Sequence, residues 1–255
     1  MIFGKILASK GENWYNGRRI LSLKGCFIMV WGIIGAMQSE VALLLSHMSE
    51  KKEETVSGLT YHSGKLQGKD VVICCSEIGK VNAAMCAQTM VLKYGVGCLI
   101  NTGVAGCTCP DLTVLDLVLS RDLVFHDYSW ELMEKYHPHT SSLPGDPALI
   151  ELAEKALVKM GERNFKHKLG RIATGDIFVE EEALRNSIIE RTHPDCVEME
   201  GASIALVAYS NGLPCLVIRC MSDNANGDAG MSFDTFQGIA ADNSAKLLLT
   251  MLELA

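Results

Sequence analysis

From Val30 onward, short and continuously apolar runs alternate with stretches whose apolar residues recur at helical spacing. Val30–Gly35 reads as a buried strand ending in glycine. Ser39–Met48 follows as a helix, with Val41, Leu44, Leu45 and Met48 on one face. Asp70–Ser76, apolar through VVICC, predicts the next strand, and Lys80–Tyr94 a helix with Val81, Ala84, Met85, Val91 and Leu92 together. Gly97–Asn101 predicts another buried strand, and Leu115–Val124 a strand pair or one long bent strand. A polar loop, His126–Pro147, leads to a helix over Ala148–Met160. Then come a strand at Leu169–Thr174, a helix at Glu181–Glu190 and a short strand at Val197–Met199. Helix Glu200–Asn211 is stopped by Gly212 and Pro214. Leu213–Ser222 is the last buried strand and Phe233–Leu254 the closing helix.

Continuously apolar strands separated by helices imply an α/β fold, with a mixed or parallel sheet covered on both faces. Ligands in such folds bind where strands end at their carboxyl side. That rule selects Gly35–Glu40, Ser76–Lys80, Asn101–Gly106, Thr174–Val179, Glu198–Glu200 and Arg219–Asp223. These segments carry several carboxylates, one arginine, glycines, methionines and a phenylalanine. No cysteine or histidine stands out as a nucleophile or metal ligand.

Such a set suits cleavage of an N-glycosidic bond. The ribose becomes oxocarbenium-like while the leaving base gains electron density, so an acid is needed for the base and a base for water. A further carboxylate can grip two ribose hydroxyls, and aromatic faces and thioethers can pack on the purine and sugar. Singly, each residue has a blander reading. Glu40 suits a solvated helix face, and Gly103-x-x-Gly106 a tight turn. Ser222-Asp223 reads as a cap or turn, Phe178 and Phe233 as core, and Lys80 as a surface residue opening a helix. Glu198 and Glu200 flank Met199. Read as a strand pair pointing to opposite faces, they predict that at most one lines a site, with Glu198 a structural or helix N-terminal carboxylate. It is the joint occurrence at successive strand ends that carries the functional reading.

Composition narrows the partners. The chain has 255 residues, 48% hydrophobic and 21% charged, as in an ordered globular protein. Its net charge of -7 argues against nucleic acid as a partner. Of ten cysteines, Cys74, Cys75, Cys86, Cys98, Cys215 and Cys220 lie in apolar runs and read as small buried side chains. There is no C-x-x-C pair, and Cys107 and Cys109 have no nearby histidine, so zinc is not expected. The absence of an evident disulfide framework points to the cytoplasm. Residues 1–28 are basic (Lys5, Lys10, Arg18, Arg19, Lys24) and carry no apolar run long enough for a membrane span. They read as an N-terminal extension outside the core, with the domain over 29–255.

Seven strings in order, GIIGAMQSE, SEIGKVNAA, INTGVAG, TGDIFV, VEMEGASIA, RCMSDNA and SFDTF, resemble the methylthioadenosine/S-adenosylhomocysteine nucleosidases of the purine nucleoside phosphorylase superfamily. The resemblance implies a three-layer α/β/α fold with a mixed central sheet. It implies Glu40 as the general base for water and Asp223 as the acid at purine N7, positioned by Ser222. Glu200 holds the ribose hydroxyls, with Met199 against the sugar, and Arg219 orients the carboxylates and water. Phe178 stacks on adenine while the Val179 backbone reads its edge. Met37, Ile78 and Phe233 contact the sugar and 5'-substituent, and Val104, Ala105, Gly106 and Glu198 complete the substrate-binding set. A homodimer and no cofactor are implied.

Two departures stand out: Val104 where members of this family commonly have serine, and a short loop at Leu143–Asp146 near the 5' pocket and dimer contact. Both leave room for a different 5'-substituent, as in 5'-deoxyadenosine. Three rivals follow from the residues. A phosphorylase needs a cationic phosphate pocket, but no arginine lies between Arg19 and Arg121, and Glu40 repels an anion. A non-catalytic nucleoside binder does not need an acid, a base and a ribose carboxylate together. A dinucleotide oxidoreductase lacks its G-x-G-x-x-G after the first strand.

Overall fold

A computed structural model describes residues 29–226 and 228–255, and the backbone of 13–15 and 18–20. Asn13–Tyr15 (β1) and Arg18–Ile20 (β2) pair antiparallel. The rest of the proposed extension lies outside the described residues.

The domain is built on one sheet. At its centre β3 (Trp31–Gly35) runs parallel to β6 (Lys69–Cys75) on one side and to β7 (Cys98–Cys107) on the other. Beyond β6, two antiparallel strands extend the edge, β5 (Leu59–Leu66) and β4 (Ser49–Val56). Beyond β7 the order is β12 (Cys215–Asp223), β8 (Leu117–Phe125), β10 (His167–Thr174) and β11 (Cys196–Glu198). β12 is parallel to β7 and antiparallel to β8, which makes the sheet mixed. β11 pairs parallel with β10 and antiparallel with β7, so this half of the sheet curls back on itself.

Alternation along the central strands explains the layers. Ile33, Ile73, Ile100 and Ile218 face α1 (Gln38–Ser46), α4 (Pro147–Lys159) and α7 (Ala229–Leu254). Ile34, Cys74, Leu99 and Val217 face α2 (Lys80–Thr89) and α6 (Gly201–Asn211). A smaller apolar cluster places Ile188 of α5 (Glu182–Thr192) against Val124, Ala173 and Val197. This is the expected α/β architecture with helices on both faces.

The differences have local causes. β4 and β5 carry no apolar run, because β4 is solvent-exposed along nearly its whole length. Their turns are nevertheless written in the sequence: Ser57-Gly58 and Gln67-Gly68 all have positive φ, as two-residue hairpin turns require. α2 continues into a π-helical turn at Met90–Tyr94, within the expected helix. β7 does not stop at Asn101 but runs through Gly103-Val104-Ala105-Gly106 to Cys107, so the expected glycine turn is a strand interior. The polar loop contains α3 (Trp130–Lys135) and a two-residue strand, β9 (Leu143–Pro144), paired with β8.

Candidate active site

The carboxyl ends of β3, β6, β10, β11 and β12 meet over the middle of β7 and line a hollow, open to solvent, of about 480 Å³. A second hollow of about 250 Å³ shares its wall at Gly106, Phe178, Val197, Glu198, Met199 and Asp223.

Glu40 enters from the first turn of α1. Its Oε2 accepts the amides of Ala36 at 2.6 Å and Met37 at 3.0 Å, and its Oε1 accepts the Val104 amide at 2.9 Å. A glutamate reaching back over its own helix start satisfies amides that the helix leaves unpaired. The residue is buried, and that burial raises its pKa against the opposing pull of Arg219 and the three amides. The approach needs a glycine: a Cβ at Gly103 would lie 2.8 Å from Glu40 Cδ and 3.2 Å from Arg219 Nη1.

Asp223 ends β12. Its Oδ1 accepts the Ala225 amide at 2.8 Å, and the Ser222 hydroxyl donates to its Oδ2 at 2.8 Å. Burial raises its pKa too, with the Ala225 amide and the Ser222 hydroxyl opposing. Gly106 makes room for it, since a Cβ there would lie 2.9 Å from Asp223 Oδ1.

Glu200 sits between β11 and α6. Its Oε1 accepts the Gly79 amide at 2.8 Å, and its Oε2 lies 3.6 Å from Arg219 Nη2. Burial, with the charge of Glu198 beside it, raises its pKa to about 8.

Behind these acids lies Arg219, the largest fully buried side chain. It donates to Glu198 and to Asn101, and its charge offsets that of the carboxylates around it. Glu198 Oε2 also accepts the amides of Glu200 at 3.0 Å and Gly201 at 2.7 Å, closing the start of α6.

Nearly every residue expected from the sequence lines one of the two hollows. Met37, Glu40, Ile78, Val104, Ala105, Gly106, Phe178, Glu198, Met199, Glu200, Ser222, Asp223 and Phe233 line the larger, and Val179 the smaller. Phe178 and Phe233 meet edge to face at 5.8 Å, and Phe178 is 43% exposed, unlike a core residue. Arg219 is the exception. It lines neither hollow and touches the carboxylates in front of it, Glu198 and Glu200.

The expectation that at most one of Glu198 and Glu200 reaches the site is corrected. Both line it, because β11 ends at Glu198 and Glu200 already caps α6, so strand alternation does not separate the pair. The structural role expected of Glu198 is present as well, in its contacts with the α6 amides.

The phosphorylase superfamily matches residues 31–253. The chain is 38% identical over 229 residues to the 5'-methylthioadenosine/S-adenosylhomocysteine nucleosidase of Shewanella sp. (strain MR-7), covering 87% of this chain and 95% of that one. The chain belongs to this nucleosidase family of the phosphorylase superfamily. Among solved structures it is similar to the nucleosidase of Colwellia psychrerythraea 34H in complex with adenine. The TM-score is 0.83 and the identity 34%, over 88% of this chain and 94% of that one. The futalosine hydrolase of Helicobacter pylori superposes with a TM-score of 0.82 at 32% identity, over 89% of this chain and 99% of that one.

Against this nucleosidase background the two departures can be located. Val104 is buried at the wall, its amide on Glu40 and its side chain beside the hollow. Leu143 and Pro144 pair with β8, and Pro144–Asp146 line a separate hollow with Tyr209 and Leu213. Two supporting residues open segments selected from the sequence but carry no assigned role there. Asn101 accepts from Arg219 and donates to the Ile34 carbonyl at 2.9 Å. Thr174 donates to Glu198 and accepts the Ala202 amide at 2.8 Å. A polar residue inside an apolar strand must find partners once buried, and that was the available signal for both.

Proposed function

We propose that the chain hydrolyses the N-glycosidic bond of 5'-methylthioadenosine and S-adenosylhomocysteine, releasing adenine. The observation that carries this reading is the convergence of Glu40, Glu200 and Asp223 on one hollow. All three are buried and all three hold protons more tightly than a free carboxylic acid.

The chemistry follows from their positions. Asp223, whose pKa burial raises, donates its proton to purine N7, so adenine leaves as a neutral base as the C1'–N9 bond breaks. Glu40 takes a proton from water, whose oxygen bonds to C1'. The positive charge on the ribose peaks between these events, where the anionic carboxylates stabilise it most. Glu200 accepts the ribose hydroxyls, and Met199 packs against the sugar. Arg219 keeps Glu198 and Glu200 aligned. Phe178 stacks on adenine, the Val179 backbone faces its edge, and Met37, Ile78 and Phe233 form the apolar surround for the sugar and 5'-substituent.

Hydrolysis is favoured over phosphorolysis because the walls carry four carboxylates, Glu40, Glu198, Glu200 and Asp223, and among the described residues no cation. The chain acts as a homodimer in this reading. Ile78, Val81, Tyr128, Leu132, Tyr136 and Ile177 are exposed apolar side chains on the elements around the mouth, and a partner subunit there closes the 5' end. No helix among the described residues is long and apolar enough to cross a membrane. The cysteines from Cys74 to Cys220 are buried free thiols, which suits the reducing cytoplasm.

The test is incubation of the purified protein with methylthioadenosine, with and without phosphate, following adenine and sugar. Adenine with free methylthioribose in phosphate-free buffer is the expected result. A strict requirement for phosphate would reverse the assignment, and no adenine under either condition would leave a binder.

A further inference from the structure

Three charged side chains outside the hollow join two of its walls. Lys80 opens α2, and its Nζ donates to Asp127 Oδ1 at 2.7 Å and Oδ2 at 2.6 Å. The same Nζ lies 3.5 Å from Asp176 Oδ2. The Lys80 amide donates to Asp176 Oδ1 at 2.8 Å, and the Asp176 amide donates to Asp127 Oδ2 at 2.9 Å. One residue earlier, the Gly79 amide donates to Glu200 at 2.8 Å. Two consecutive amides at the start of α2 are therefore held by carboxylates from two different segments.

This is unlike a solvated surface pair. Lys80 and Asp127 are each 21% exposed, and Lys80 Nζ stands 5.7 Å over the Phe125 ring. The segment it anchors is also strained. Glu77 has φ of 64°, and Gly79 has φ of 102° with ψ of 158°, a conformation left to glycine. Such a backbone persists where its surroundings over-determine it, and here Glu200, Asp176 and the ion pair do so. Ile78 lies inside this segment, and Phe178 lies two residues beyond Asp176; both line the hollow.

We propose that Lys80, with Asp127 and Asp176, is a positioning group that locks the Ile78 wall to the Phe178 wall and so holds the Gly79 amide that aims Glu200 at the ribose. The inference rests on the ribose role of Glu200 given above. A hold on the ribose that is equal in the ground and transition states enters KM and leaves kcat nearly alone. General loosening of the fold would instead act on every substrate alike.

The experiment measures kcat and KM of wild type and Lys80→Met with methylthioadenosine and with its 3'-deoxy analogue, which lacks a hydroxyl for Glu200. The expected result is a KM for methylthioadenosine at least tenfold higher, with kcat within threefold and the penalty on the 3'-deoxy analogue below threefold. An unchanged KM, or an equal penalty on both substrates, overturns the proposal. If Lys80→Met does not fold, Asp176→Ala decides by the same comparison, since its side chain is 46% exposed. A wild-type protein that releases no adenine sinks the functional reading itself, and this inference with it.

Discussion

The Val104 amide donates to Glu40 Oε1 at 2.9 Å, tying the start of α1 to the middle of the central strand β7. The other oxygen of the same carboxylate holds the Ala36 and Met37 amides. Glu40 is therefore locked by both oxygens before any substrate arrives, and the entropy of orienting its carboxylate is lost on folding.

Glu40→Gln tests the chemical role apart from the scaffold. Glutamine keeps the size but turns an NH2 towards one set of amides, which costs about 1–3 kcal/mol for the unmatched groups. It also cannot accept a proton from water, and general-base loss is of order 10²–10⁴ in rate. The expected variant is folded, with a lower denaturation midpoint and turnover down by at least about a hundredfold. Urea denaturation and adenine release measure the two parts, and near-normal turnover would remove Glu40 from the chemistry.

Asp223→Asn should fold and lose most turnover, with a residual rate above a tenth of wild type counting against the acid assignment. Ser222→Ala is more informative about pH. The Ser222 hydroxyl favours the ionised form of Asp223, so its removal raises the Asp223 pKa further. An acid is active while protonated, so the alkaline limb of the kcat profile should move to higher pH. A shift to lower pH, or none, contradicts the contact's role.

Much of this site was legible because chemistry concentrates where apolar runs stop. Glu40, Glu200 and Asp223 are far apart in sequence, yet each follows or ends a strand of the central sheet. What escaped the sequence depends on three-dimensional pairing. The β11–β7 contact that curls the sheet joins residues about ninety apart, with no local periodicity to announce it. The β4–β5 edge is polar because water covers it. Gly103 looked like a turn residue, but its glycine is needed for the close approach of Glu40, a constraint invisible until the partner is in place.

The buried acids predict a pH dependence of stability. Glu40, Glu200 and Asp223 all have folded pKa values above those of the free side chains, Glu200 at about 8. Below the unfolded pKa, near 4.5 for glutamate, both states are protonated and no penalty arises. As pH rises towards 8 the unfolded state ionises freely while the folded state resists, so these groups destabilise the fold progressively. The melting temperature should therefore fall between pH 5 and pH 8, and Glu200→Gln should flatten that slope. Differential scanning calorimetry across this range decides it, with an identical slope in the variant counting against the raised Glu200 pKa.

Arg219→Met removes the cation that faces Glu198 and Glu200 from behind. Breaking a buried ion pair from one side costs about 3–5 kcal/mol, because a charge is left without a partner. A fall of that size in unfolding free energy is expected from urea titration at pH 7, with Arg219→Lys, which keeps the charge, losing less. An equal loss in both variants would indicate that shape, not charge, is what Arg219 contributes.

Val104→Ser reaches the departure that most affects chemistry. Val104 is 8% exposed, its amide bonded to Glu40 and its side chain at the wall of the hollow. Replacing the isopropyl group by a hydroxymethyl group removes apolar burial, about 1–2 kcal/mol of stability for loss of part of a buried side chain. It also places a hydroxyl in the wall of the hollow that holds Glu40, whose pKa is raised chiefly by burial. A hydrogen bond to the ionised form pulls that pKa down. Glu40 acts as a base when deprotonated, so the acidic limb of kcat/KM should move to lower pH and activity near pH 5 should rise relative to the plateau. Because the hydroxyl can also meet polar atoms of the substrate, the rate ratio of methylthioadenosine to 5'-deoxyadenosine should change in the same variant. An unmoved acidic limb together with an unchanged substrate ratio would mean that position 104 is packing alone.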